Sequence, residues 1–363
     1  MKILLDVMGG DHAPAELVMG AEMARQERPD VEYVLIGDES AILSVAKEKG
    51  IDLSPYTIVH TESVITMEDN PMCVTRGKAD SSMSIGLKML SDREGDALVS
   101  TGNTGALFAG ASLIVRKLPG VQRPAIGTVL PLKQAVLLLD SGANIHVTPE
   151  YMEQFAVMGS AYMQTAYGIE RPRVGLLNNG SEETKGLELQ QETFKLLSAC
   201  PQINFVGNVE ANRVPEGVCD VLVADGFTGN IFLKAIEGMG KMMLRTMKDI
   251  FYANVKSKVS ALLVREKLLK VRRDFDPAEL GGAPLLGISA PVIKAHGSSR
   301  AKAYRSAIFS AISYAGCDAS GVIAVEMSAL HDRKKQEKKE KRKRRTAREE
   351  RRKTNDTKIL RRA

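Results

Sequence analysis

Residues 96–114 read DALVSTGNTGALFAGASLI and carry two structural signals with a polar break between them. Ala97 to Val99 with Ser100 is a short apolar run of the kind that forms a buried parallel strand, and from Ala106 small and apolar residues recur at helical spacing. The break, Ser100-Thr101-Gly102-Asn103-Thr104-Gly105, joins glycines that let a backbone approach an anion to hydroxyl and amide donors. A helix start just beyond it leaves unpaired N–H groups. The loop reads as a phosphate cradle.

The same design returns 124 residues later, where residues 220–235 read DVLVADGFTGNIFLKA and keep Asp, Leu, Val, Gly, Thr, Gly, Phe and the final Ala in register. Asp225, Gly226, Thr228, Gly229 and Asn230 form this second turn, with Thr228 matched to Thr104. Two such turns predict two polar loops at the carboxyl edge of one sheet, where open α/β folds bind ligands. Gly-rich turns also recur in α/β proteins without a ligand, so it is the pairing that points to function.

With 363 residues the chain can bury a large core without disulfides or metals. Cys73, Cys200, Cys219 and Cys317 show neither CxxC nor Cys/His metal spacing, so reduced, packed thiols and no metal site are expected. Met1-Lys2 leads straight into an apolar strand, without signal-peptide regions, and no run approaches the ~20 apolar residues of a membrane span. A cytosolic protein is expected, with any membrane contact peripheral. The net charge of +6 is unevenly spread: residues 332–363 hold 17 Lys/Arg against 6 Asp/Glu, and the rest holds 33 against 38. A mildly acidic body carries a basic tail.

Apolar runs at residues 2–7, 31–36, 56–60, 97–100, 123–131, 134–139, 174–177, 203–206 and 221–224 alternate with helical patterns. This alternation predicts a doubly wound, mainly parallel sheet with helices on both faces, one domain over residues 1–330. Gly10, Asp11 and His12 lie in the first strand-to-helix turn, where His12 can face a ligand or simply cap its turn. Ser81 and Ser82 suit a helix N-cap. Lys185 stands in the polar loop of residues 178–186, a setting common to solvated lysines. Residues 291–299, PVIKAHGSS, repeat the strand-to-loop theme, with Lys294, His296, Gly297 and Ser298 forming an anion site by residue type.

Residues 241–274 are helical in pattern, rich in Met, Leu and Val, and interleaved with ten Lys/Arg; Leu262, Leu263 and Val264 mark the apolar centre. Such a basic amphipathic hairpin can lie on an anionic membrane or pack in a dimer. Residues 331–363 have no apolar periodicity and are expected to be disordered or a frayed helix. Residues 341–345 could meet nucleic acid, but base-stacking aromatics are absent, so nucleic acid is not an expected partner.

Taken together, the loops resemble the PlsX family, the phosphate acyltransferases of bacterial phospholipid synthesis. The matching segments are DVMGGDHAP (6–14), IGD (36–38), RGKADSSM (76–83), STGNTGAL (100–107), LLDSGAN (138–144), VGLLNNGSEETKG (174–186), NFVGNVE (204–210), DGFTGN (225–230) and PVIKAHGSS (291–299). The resemblance implies transfer of a fatty acyl chain from the thioester of acyl carrier protein to inorganic phosphate, with no metal or organic cofactor. It implies an α/β/α sandwich related to phosphotransacetylases and isocitrate- or isopropylmalate-type dehydrogenases, with a protruding helical hairpin. It also implies a homodimer, peripheral membrane association, and a membrane glycerol-3-phosphate acyltransferase that consumes the acyl phosphate. Lys185 and Asn230 match positions tied to activity in the family. Ser141 departs from the pattern, standing where an apolar residue is common. A phosphotransacetylase acting on coenzyme A thioesters is the alternative enzyme, and a nucleic-acid binder acting through the tail the alternative class.

Overall fold

Eleven strands among the described residues join in one sheet, because their apolar runs have both faces to bury. The structure, a computed structural model, describes residues 1–132, 134–267 and 281–360. The strands are β1 (Lys2–Asp6), β2 (Glu32–Gly37), β3 (Tyr56–His60), β4 (Ala97–Ser100), β5 (Ala125–Val129), β6 (Leu137–Leu139), β7 (Arg173–Asn178), β8 (Asn204–Glu210), β9 (Val221–Val223), β10 (Ala283–Leu286) and β11 (Val292–Lys294). Their order is β3-β2-β1-β4-β11-β10-β5-β6-β9-β7-β8.

The sheet contains two parallel blocks. β1 to β4 and β11 run one way, with Leu4 beside Val34 and Leu98, and Lys294 beside Ser100. β6, β9, β7 and β8 run together on the other side. Antiparallel pairings at β11–β10, β10–β5 and β5–β6 join them, so the two blocks point in opposite senses. Five strand steps separate β4 from β9, and twist of ~20–25° per step turns them by ~100–125°. That rotation brings the carboxyl ends of the opposed blocks to within about 80° of one direction, so loops from both can flank one space.

Ala283–Leu286, which lies outside the nine apolar runs read as strands from the sequence, is strand β10. It accommodates Pro284 because each half pairs on one side: Ala283 and Pro284 with β11, Leu285 and Leu286 with β5.

Side chains alternate to two core layers. Ile3 and Leu5 join Leu137 and Leu139 on one face, under α1 (Ala15–Glu27), α2 (Glu39–Lys49), α5 (Pro149–Tyr167), α6 (Glu188–Ser198) and α9 (Ala301–Gly316). Leu4 and Leu98 face the other way, onto α3 (Ser82–Ser91) and α4 (Thr104–Gly110), and Leu138 packs near α7 (Gly226–Tyr252). Each such fully buried Leu or Ile contributes about 1.5–3 kcal/mol.

α7 is 27 residues long, roughly 40 Å at ~1.5 Å per residue. Gly226 and Gly229 are its only buried residues, and Ile231, Met239, Met242, Ile250 and Tyr252 are exposed. α8 (Val255–Leu263) buries nothing; Leu262 is 71% and Leu263 84% exposed. The hairpin expected from residue 241 is therefore the far part of a helix that begins in the second polar loop. Residues 268–274 of that expected segment lie outside the described residues. No helix among the described residues is by itself long and apolar enough to cross a membrane.

The described residues end in α10 (Ala319–Leu360), a helix that runs on through the stretch expected to be disordered or a frayed helix. Its root packs on the core: Ile323, Met327 and Leu330 are buried. Arg333 donates to Glu153 at 2.6 Å and Lys334 also pairs with this carboxylate, which is 1% exposed.

Candidate active site

Three turns from the first block meet at its carboxyl edge. The turn after β1 lies against the turn after β4: the Thr101 hydroxyl donates to the Gly9 carbonyl. The turn after β11 closes on both, as the Asp11 N–H donates to the Gly297 carbonyl at 2.9 Å and Ala295 N–H to Ser100 O at 2.9 Å. Gly10 sits at φ +86°, where a side chain would also strike Gly297 O and Thr101 Oγ1. Asn103 is committed to structure. Its Oδ1 caps α4 through the Ala106 N–H at 3.0 Å, while its Nδ2 donates to the carbonyls of Thr66, Met67 and Asp69.

Beneath these turns lies Asp6, 1% exposed. It accepts from Ser100 Oγ at 2.6 Å and Ser82 Oγ at 2.7 Å. Burial pushes its pKa up, and these hydroxyls with nearby backbone N–H groups push back. Ser81 is the N-cap of α3, accepting from the Ser84 N–H at 3.3 Å.

Lys294, 9% exposed, donates to the Thr101 carbonyl at 3.2 Å and to the Ala295 carbonyl. Burial pulls its pKa down to about 8, against the charges of Asp6 and Asp11. His296 is exposed at the rim. Its Nδ1 lies 3.2 Å from the Ser298 backbone nitrogen, whose N–H is directed at it, and 2.9 Å from Ser298 Oγ. Burial and then the Lys294 cation hold the imidazole pKa below its ordinary value, with Lys234 and Lys241 acting the same way and Glu237 opposing.

The second block builds the facing wall. Asp140, fully buried at the end of β6, accepts from the N–H groups of Ile126, Gly142, Ala143 and Asn144, the last at 2.6 Å. Burial raises its pKa while those N–H groups oppose. Asp225 is the N-cap of α7, accepting from Phe227 N–H at 3.1 Å and Thr228 N–H at 2.9 Å. α7 starts hard against the Asp140 turn: a Cβ on Gly229 would lie 2.0 Å from Asp140 O, and one on Gly226 2.7 Å from Asn144 O. This seats Asn230 beside Gly142.

Between the walls is a cavity of about 860 Å³. Thr104, Asn230, Lys294, His296, Gly297 and Ser298 line it, which brings six of the sequence-chosen residues from three loops together. Ser141 and Gly142 contribute, and Ile126, Val129, Pro131 and Leu233 supply an apolar stretch. Ser100, Thr101, Gly102, Gly105, Gly10 and Asp11 are outside the lining, in the turns that carry it. Asp225, Gly226, Thr228 and Gly229 do the same for Asn230; the matched threonines thus differ, Thr104 facing the cavity and Thr228 not. His12 and Lys185 are outside the lining. Lys185 is exposed, on the turn where its N–H donates to Glu182 O at 3.1 Å. Leu262, Leu263 and Val264 are on the distal hairpin, away from the lining.

Sequence reasoning missed Asp6 and Asp140. Their signal was a carboxylate ending an apolar run, ILLD and LLLD, where a charge has no reason to be unless it is hydrogen-bonded. Lys234, Lys241, Arg300 and Lys302 were also missed, and all line the cavity. Among the described residues no group of three His, Cys, Asp or Glu side chains is placed to hold a metal.

The cavity joins a polar, cation-rich end at Lys294, His296, Ser298, Arg300 and Lys302 to an apolar wall at Ile126, Val129, Pro131 and Leu233, between the opposed halves of an α/β/α sheet. Solved structures share the fold: a phosphotransacetylase from Streptococcus pyogenes (TM-score 0.58, 16% identity, 87% of this chain and 94% of that one). A branched-chain phosphotransacylase from Enterococcus faecalis is similar (TM-score 0.52, 13% identity, 86% and 99%). The family described as fatty acid synthesis protein matches residues 1–321, and the chain belongs to it. Its relatives are named phosphate acyltransferases. That of Thermoanaerobacter pseudethanolicus is 43% identical over 334 residues (92% of this chain, 99% of the relative), and that of Acetivibrio thermocellus 44% over 316 residues (87% and 93%). The chain is thus an enzyme of the phosphate acyltransferase family.

Proposed function

We propose that this acyltransferase takes a fatty acyl group from the thioester of acyl carrier protein and places it on inorganic phosphate, giving an acyl phosphate for phospholipid synthesis. The observation that carries the reading is the single cavity in which Ile126, Val129, Pro131 and Leu233 continue into Lys294, His296 and Ser298. An acyl chain requires the first surface and an inorganic anion the second.

A phosphate oxygen attacks the thioester carbonyl carbon, forming a C–O bond. The tetrahedral oxyanion collapses, the C–S bond breaks, and the proton of the hydrogen phosphate ends on the departing thiolate. Such a displacement depends on orientation more than on a covalent intermediate. Lys294, with its pKa at about 8, is matched to a thiol leaving group of roughly 8.5, so it can hold the anion and pass the proton. Asn230 offers an amide donor to the oxyanion, and loss of such a donor costs about 3 kcal/mol of transition-state stabilisation.

The deciding experiment incubates the purified chain with long-chain acyl carrier protein and phosphate, scoring acyl phosphate and free thiol. Turnover of coenzyme A thioesters alone would replace this reading with a phosphotransacetylase-like one. Asn230→Ala should lower turnover by about tenfold or more, on the scale where ~1.4 kcal/mol is a factor of ten; Lys185, implied by the family resemblance alone, is tested by Lys185→Ala in the same assay. The reading includes a homodimer and peripheral membrane contact at the cytoplasmic face, supported by the exposed apolar residues of α7 and α8. Sedimentation velocity and vesicle flotation test these two points.

A further inference from the structure

We propose that Asp6 is the positioning residue and counter-charge of Lys294: its carboxylate braces the turn from Ser100 to Gly102, whose Thr101 carbonyl receives the lysine ammonium at the cavity wall. The proposal rests on the reading of Lys294 as the cation that meets phosphate.

Asp6 is absent from the cavity lining and 1% exposed, so it reaches a substrate only through its neighbours. The bracing is a relay of hydrogen bonds. Gly102 N–H donates to Ser100 Oγ at 3.1 Å, which leaves the Ser100 proton directed to Asp6 Oδ2 at 2.6 Å. Ser82 Oγ and, at 3.3 Å, Met8 N–H donate to Oδ1. Burial raises the Asp6 pKa, and these donors oppose that rise by favouring the charged carboxylate.

Among the described residues no carboxylate is in direct contact with Lys294; its bonds go to the carbonyls of Thr101 and Ala295. The negative charges facing it are Asp6 from β1 and Asp11 from the following turn. His296 shares its loop, with Lys234, Glu237 and Lys241 of α7 facing that imidazole; Arg300 and Lys302 line the same cavity. In surroundings this rich in cations, burial works to strip the Lys294 proton near neutral pH, and Asp6 opposes it. A merely structural Asp6 would hold the turn yet leave the proton affinity of Lys294 unaltered.

The test uses full-length protein carrying Asp6→Asn, folded by circular dichroism, with ¹⁵N-labelled lysine and Lys294 assigned through Lys294→Arg. The Lys294 titration should fall by about one pH unit or more in Asp6→Asn, the usual effect of a lost opposite charge, and stay put in Ser82→Ala. A one-unit fall from about 8 reduces the protonated fraction about fivefold at pH 8 and very little at pH 6.5. The phosphate KM should therefore rise about fourfold more at pH 8 than at pH 6.5, and this pH dependence should vanish in a Lys294→Arg background. An unmoved Lys294 titration, or a loss equal at all pH values, overturns the proposal. Where Asp6→Asn does not fold, Ser100→Ala tests the brace: an unchanged phosphate KM overturns it. If the wild-type chain turned over no acyl thioester while Asp6→Asn still moved the Lys294 titration, the functional reading would fail and the linkage would stand.

Discussion

Replacing Gly9 with alanine puts a methyl carbon 2.6 Å from the Gly102 nitrogen and 2.7 Å from its Cα. Neither atom belongs to a flexible side chain, and Asp6 Oδ2, 3.2 Å from the same methyl, blocks a third direction. Ordinary contact begins at 3.4 Å, so the turns after β1 and β4 must part by about 0.8 Å. Overpacking of this kind costs about 1–3 kcal/mol, which a core of this size tolerates. Catalysis is less forgiving, since a misplacement of ~1 Å can cost ~100-fold. Gly9→Ala should keep its circular dichroism spectrum, melt a few degrees lower, and lose roughly 30- to 100-fold in kcat/KM for phosphate by thiol release. A folded Gly9→Ala enzyme within about threefold of wild type would refute the claim that these turns form one fitted unit at the reacting centre.

Lys294 gives a stability prediction with a definite sign. Its folded pKa, about 8, lies below the 10.5 of an unperturbed lysine, so between those values the unfolded chain binds more protons and stability rises with pH. Lys294→Met should be more stable than wild type in urea below pH 8, with the gap closing towards pH 10.5. Asp225→Ala removes the α7 cap and should cost about 1–2 kcal/mol in urea unfolding, with turnover falling because Asn230 rides on that first turn. The double variant Leu262→Glu, Leu263→Glu should weaken flotation with anionic vesicles while leaving phosphate KM unchanged; undiminished flotation would remove the hairpin as the membrane contact.

The layered fold was legible because apolar runs such as ILLD and LLLD bury both faces and alternate with helical patterns in the sequence. The paired polar turns were legible too, yet their placement was not. The repeat around Thr104 and Thr228 suggested one carboxyl edge, whereas β4 and β9 belong to blocks of opposite sense. Strand direction is set by long-range pairing through β10 and β5, and Pro284 disguised one of those partners. Asp6 was hidden because a lone carboxylate at a strand end gains meaning only from Ser82 and Ser100, 76 and 94 residues away. Lys185 shows the reverse case: the motif around it is distinctive, and the fold of a single chain leaves it outside the cavity.

Glu153 decides where this chain can be shortened. An interior anion is neutralised there by Arg333, 180 positions downstream, and by Lys334 next to it. A stop codon ahead of Arg333 would strand that anion in the interior without its cations. One placed after Lys334 would spare it. The root of the cationic arm is thereby part of the body's internal electrostatics, and only the stretch distal to Lys334 is separable cargo.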